Sequence, residues 1–185
     1  QREPMHIILL YPAFIYTAST AVARLGLTER CEAAGVALFV LIFDMPYDIM
    51  GIKFLWWTWH DTDSNIYDRM YWVPWTSYYF HMAFALAFNL INHAARRYFV
   101  GLSGLYSLDD LQRMPYARQI VANNWWGEFK ALVVTGLFSM PVGVLFFVPG
   151  YHFWKDALGV HAEVTTTIFG SILGVIFFYG LMHNH

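Results

Sequence analysis

The sequence predicts an all-α, polytopic transmembrane helical bundle of about five spans, with a short amphipathic segment at the interface. Three observations carry that expectation. The 185 residues are 58% hydrophobic and 19% aromatic but only 13% charged, where a soluble domain carries about 25% charged residues. Mean hydropathy is +0.41. Apolar runs of roughly twenty residues recur along the chain, each enough to cross a bilayer core of ~30 Å at about 1.5 Å per residue.

The first span covers about 5–25, because Met5 to Leu25 carries no charge until Arg24. A polar break from Arg24 to Glu32 follows. The second span covers 33–55, and Pro46 inside it predicts a kink or a local break. Thr58 to Arg69 is a polar loop. The third span, 72–95, opens at Trp72 and stops at Arg96-Arg97. Between Gly101 and Asn124 the leucines Leu105, Leu108 and Leu111 and then Met114 recur among Asp109, Asp110, Arg113 and Arg118. That pattern predicts a segment lying at the interface. Trp125-Trp126 marks a membrane boundary, and the fourth span follows at 129–148 with Pro141 inside. Pro149 to His161 reads as a loop, and 164–182 as the fifth span. Gly136, Ser139 and Gly143 on the fourth span, and Gly170, Ser171 and Gly174 on the fifth, are small residues that let membrane helices touch. All of this forms one domain, 1–185. The opening Gln1-Arg2-Glu3-Pro4 has no initiator methionine, so further N-terminal spans preceding residue 1 are expected.

Basic residues suggest an orientation. Arg24, Arg30, Arg96, Arg97, Arg113, Arg118 and Lys130 flank one side, and Arg2, Lys53, Arg69 and Lys155 the other. The positive-inside tendency then places loops 26–32 and 97–128 in the cytoplasm and loops 58–70 and 149–162 on the opposite face. A net charge of -2 offers no basic field for nucleic acid. The single cysteine, Cys31, excludes an internal disulfide and a cysteine-based zinc site.

Chemistry concentrates between Asp44 and His81. Ionisable groups inside an apolar run are costly and mark candidate sites. Asp44 and Asp48, four apart, share a helix face if the helix continues through Pro46. Asp44 lies about eleven residues before one end of its span and His81 about nine after the opposite-running start of the next. Both therefore sit ~14–17 Å below the same face and can meet. A carboxylic acid in an apolar setting can act as a general acid, so Asp44, Asp48 and His81 are the candidate catalytic residues. The alternative is structural, with Asp44, Asp48, His81, Asn89 and Asn92 hydrogen-bonding between helices.

Trp56, Trp57, Trp59 and Trp75, with Tyr78, Tyr79 and Phe84 on the third span, are candidate walls of a cleft for an elongated hydrocarbon. Aromatic faces also stabilise a cation, although indoles gather at membrane boundaries without any such role. Loops on one face collect His60, Asp61, His152, Asp156, His161 and Glu163, types that can hold a metal. Their spacing matches no established metal motif, and no cofactor is expected beyond a bound lipid.

Two resemblances follow from these residues. The run Asp48, Trp57-Thr58-Trp59, then Tyr71-Trp72-Val73-Pro74-Trp75-Thr76-Ser77-Tyr78 resembles the membrane-bound carotenoid hydratases of the bacterioruberin pathway over about 35 residues. Trp72, Ser77 and His81 stand where those enzymes have glycine, asparagine and an aromatic. Over most of its length the chain is similar to an animal multi-pass membrane protein family of unassigned activity. That similarity rests on Phe54 to Asp63 and on Tyr151-His152, Asp156, Gly159, His161 and Glu163.

The expectation is an integral membrane protein that binds or modifies a polyisoprenoid or carotenoid-like lipid, by acid-catalysed hydration if it is an enzyme. One alternative is a non-catalytic subunit packing against membrane partners. The other is a metal-dependent lipid enzyme at the loop face.

Overall fold

The computed structural model describes residues 5–59, 66–101 and 124–183, leaving aside the side chains of 5–8. Five α-helices make up nearly all of it. They are α1 (Met5–Ala23), α2 (Glu29–Lys53), α3 (Trp75–Phe99), α4 (Trp125–Phe147) and α5 (Ala162–His183). Among the described residues three are long and apolar enough to cross a membrane, namely α2, α4 together with its extension to Ala157, and α5. The chain is thus a membrane-embedded helical bundle. The interfacial segment expected near Leu105 to Met114 lies outside the described residues, as do His60 and Asp61.

The centre of the bundle is α3, which packs against α2, α4 and α5, while α1 and α5 each lie on α2. Although α3 is 25 residues long, it is not among the three helices apolar enough to face lipid unaided. Its buried residues include His81, Asn89, His93 and Arg96, and the surrounding helices supply the shielding. Small residues set the closest approaches, though not wholly the ones expected. Gly143 and Gly170 do lie against Phe84 and Met82, whereas Gly136 and Gly174 face open space. Gly35, where a Cβ would come within 2.6 Å of the Phe177 ring, and Gly180, where one would come within 2.6 Å of Cys31, join α2 to α5.

Several boundaries differ from expectation. Pro46 does not break α2, which runs unbroken to Lys53; the proline removes one N–H, and the turns around it remain helical. The second and fourth helices start about a turn early, at Glu29 and Trp125. Acidic residues in the first turn, Glu29 and Glu32 in one and Glu128 in the other, complement the positive helix end. The segment after Val148 is not a loop. It continues α4 as a π-helical stretch, Val148–Ala157, seated through the buried Tyr151.

Two turns aim the aromatic segment. At the end of α2, Leu55 takes φ 58°, while Trp56 N–H donates to Gly51 O at 2.8 Å and Leu55 N–H to Ile52 O at 3.0 Å. That pair of bonds is a Schellman close, normally built with glycine at the left-handed position. It turns the chain back, so that the Trp57 ring lies over Gly51. Farther on, Arg69–Met70 and Val73–Pro74 pair as a minimal hairpin. Its two loop residues, Tyr71 and Trp72, have φ 50° and 67°, the signs of a type I′ turn. Replacing Leu55 by glycine should relieve a left-handed side chain and stabilise the fold by roughly 1 kcal/mol. Detergent-titration unfolding measures this, and a destabilised Leu55→Gly protein would contradict the turn assignment.

Candidate functional site

Asp44 and Asp48 project from one face of α2, one turn apart, and His81 faces them from α3. Their ligand atoms all lie within 4.8 Å of one another, and all three residues are buried. Asp44 is 1% exposed, Asp48 6% and His81 5%. Asp44 Oδ2 sits 3.0 Å from His81 Nδ1. The depth match expected from spacing is realised as contact. The continuity of α2 through Pro46 is what keeps the two carboxyl groups on one face.

Ser77, one turn before His81, organises the cluster from both sides. Its hydroxyl donates to Asp48 Oδ2 at 2.9 Å, and its carbonyl lies 2.7 Å from His81 Nδ1. A carbonyl only accepts, so Nδ1 carries the ring proton and Nε2 keeps a lone pair. On the outer side Tyr11 of α1 stacks on the imidazole, 5.4 Å between centroids at 26°. Asp44 Oδ2 and His81 Nε2 are buried without a hydrogen-bond partner among the described residues. Orphaned buried polar atoms are expensive, at about 1–3 kcal/mol each.

The candidate aromatic wall divides in two. Tyr47, on α2 beside the acids, contacts Trp57 at 5.1 Å and Trp56 at 5.9 Å, and Trp57 meets Trp59 at 6.4 Å. Trp75 stands edge-on to Tyr78, whose hydroxyl donates to Met70 O at 3.3 Å and so ties the hairpin to α3. These aromatics belong to the end of the bundle above the acids. Tyr79 and Phe84 point elsewhere. Tyr79 stacks on Phe169 at 4.5 Å in a separate core with Ala83, Tyr151 and Ala162, and Phe84 packs on Phe80 and Gly143. Both side chains join α3 to α4 and α5.

On the loop face, His152 Nδ1 meets Asp156 Oδ2 at 2.9 Å across one helical turn, largely exposed. His161 and Glu163 are exposed, and His60 and Asp61 lie outside the described residues. Among the described residues, the group of three metal-capable side chains is the buried one. Sequence reasoning missed Ser77 and Tyr11 as site residues. For Ser77 the signal was the four-residue step to His81, and for Tyr11 the matching depth on α1.

The family model for a domain of unknown function, DUF7802, matches residues 1–185. The chain belongs to the DUF7802 family. No curated protein and no solved structure matches it, so the DUF7802 site has to be read from its own geometry. The paired carboxyl groups are the feature to probe first. Replacing Asp48 by asparagine keeps an acceptor for the Ser77 hydroxyl while removing one ionisable group, and should leave stability unchanged or raise it. Ser77→Ala should cost about 1 kcal/mol. Thermal melting in detergent checks both, and an Asp48→Asn protein that loses more than Ser77→Ala would mean the carboxylate is held by a partner other than these.

Proposed function

We propose that this protein binds an elongated polyisoprenoid or carotenoid-like lipid within the membrane and hydrates one of its double bonds. The observation that carries this reading is the buried Asp44–Asp48–His81 cluster, an acid pair beside an imidazole with one free lone pair.

The chemistry balances on these three residues. The carboxyl proton of Asp44 adds to one alkene carbon, leaving a carbocation on the other. The aromatic faces of Tyr47 and Trp57, at the acid end of the cleft, stabilise that charge. Water attacks the cation and loses a proton to His81 Nε2. The ring then passes its Nδ1 proton to Asp44 Oδ2 across the 3.0 Å contact, which restores the acid, and His81 returns to its starting tautomer by releasing the Nε2 proton to water and taking one from water at Nδ1. Positioned general acid–base groups of this kind contribute about 10²–10⁴-fold each.

Lipids extracted from gently purified protein, identified by mass spectrometry and absorption, test the reading. A stoichiometric isoprenoid supports it, together with loss of at least 10²-fold in its hydration on Asp44→Asn. Bulk phospholipid alone, or unchanged turnover in Asp44→Asn, would overturn it. A second reading, a non-catalytic subunit of a membrane assembly, draws on Gly136 and Gly174, which have nothing within 4 Å and leave room for a partner helix. It requires a fixed partner to co-purify and to be displaced by Gly136→Leu or Gly174→Leu.

A further inference from the structure

We propose that Asp44, Asp48 and His81 form the binding site of a single divalent first-row transition ion, such as Zn²⁺ or Mn²⁺. This rests on the reading above only in taking the cluster as the functional centre. It needs neither a lipid substrate nor an acid step.

The geometry comes first. One atom from each of two carboxylates and an imidazole lies within 4.8 Å of the others. Ligands on one ion, bonded at about 2.0–2.2 Å, stand no farther apart than about 4.4 Å, so closure asks for a few tenths of an ångström. The second observation is independent of the clustering. Asp44 Oδ2 and His81 Nε2 are both buried and have no hydrogen-bond partner among the described residues. A carboxylate oxygen and an imidazole nitrogen are the two atom types that a cation of this class would satisfy.

The donor set selects the ion. Calcium takes six to eight oxygens, and magnesium keeps most of its waters. A mixed set of one imidazole and two carboxylates suits zinc, manganese or iron. Two carboxylates match the charge of a divalent cation, which resolves the cost of placing both in an apolar bundle. The outer contacts are those a ligating centre uses, with Ser77 holding Asp48 through its hydroxyl and the imidazole through its carbonyl. Such contacts orient metal ligands, and their loss typically lowers affinity about 10–100-fold. Three protein ligands leave a position open for water or substrate. Carboxylates bind the ion only in their deprotonated form, so ion uptake releases any proton they carry.

The test uses the full chain in nanodiscs after dialysis against a chelator. Zn²⁺ or Mn²⁺ is added back and stoichiometry read by elemental analysis, with Mn²⁺ also followed by electron paramagnetic resonance. About one ion per chain is expected. Affinity should fall at least tenfold in Ser77→Ala and Asp44→Asn, while His152→Ala, which removes the loop-face pair, should leave it unchanged. Monodisperse elution and an unaltered melting curve keep the variants interpretable, and Asp44→Asn is nearly isosteric for that reason. The proposal is overturned by a folded protein that binds no ion, by binding that survives both Asp44→Asn and Ser77→Ala, or by binding lost with His152→Ala. Ion binding by a protein that carries no isoprenoid would sink the lipid reading and leave this one standing. Isoprenoid hydration by a protein that takes up no ion would do the reverse.

Discussion

A polar side chain in a bilayer must find its partner inside the protein, because the surrounding hydrocarbon offers none. The architecture depends on that constraint at α3. Ser77, His81, Asn89, His93 and Arg96 lie along its length over ~28 Å, close to the ~30 Å of a hydrocarbon core. The partners come from α2, α1 and α4. Asp48 and Asp44 of α2 meet Ser77 and His81. Ser19 of α1 accepts from Asn89 at 3.0 Å, and Glu32 of α2 meets His93 at 3.3 Å. Glu128 of α4 takes Arg96 through two bonds of 3.1 and 2.7 Å. The most polar helix therefore occupies the centre, and the apolar α4 and α5 turn their exposed faces outward.

The ends of the bundle follow the same logic by different means. At the Arg96 end the clamps are charged and specific, with Arg97 reaching Glu29 at 2.5 Å. Asn124 caps α4 at Gly127 N–H and also donates to Phe99 O. At the opposite end the closure is aromatic and held by turns. Leu55, Tyr71 and Trp72 accept left-handed backbone, a conformation that side chains of this size rarely adopt. Non-glycine residues kept in such geometry tend to gather near functional sites. Here the three residues fold the tryptophans back towards Tyr47 and bring the hairpin onto Tyr78, above the acids.

How much of this was legible in the sequence can be argued from particular residues. Apolar run lengths gave the helices and their order, since span length is set by the bilayer and hardly by neighbours. The depth of Asp44 and His81 followed from counting residues, and depth brought them together. Rotation could not be counted. Tyr79 and Phe84 sit at the right depth for a cleft wall, but their side chains leave α3 towards α4 and α5, and nothing in linear spacing distinguishes those azimuths. Pro46 suggested a break because proline usually ends a helix, yet the tertiary packing of α2 carries the helix past it. The π-helical continuation after Val148 was hidden by Pro149 and Gly150, which ordinarily signal a turn. Gly150 instead gives room to the Tyr79 hydroxyl.

The two histidine clusters on α3 differ in one way that bears on function. Glu32 and His93 are one acid and one base, so a single proton transfer makes them a self-neutralising pair, and the structural role of joining α2 to α3 is sufficient explanation. Asp44, Asp48 and His81 contain one acid more than the base can answer. Proton exchange among the three alone cannot neutralise two carboxylates with one imidazole. Something else must supply positive charge, either a proton retained on the carboxyl pair or a bound cation. A bundle selected only for stability would lose this imbalance readily, since apolar residues of similar volume in place of a buried charged group are often neutral or favourable. The second acid, buried beside Asp44 and His81 beneath the aromatic end of the bundle, is what distinguishes this cluster from the Glu32–His93 pair.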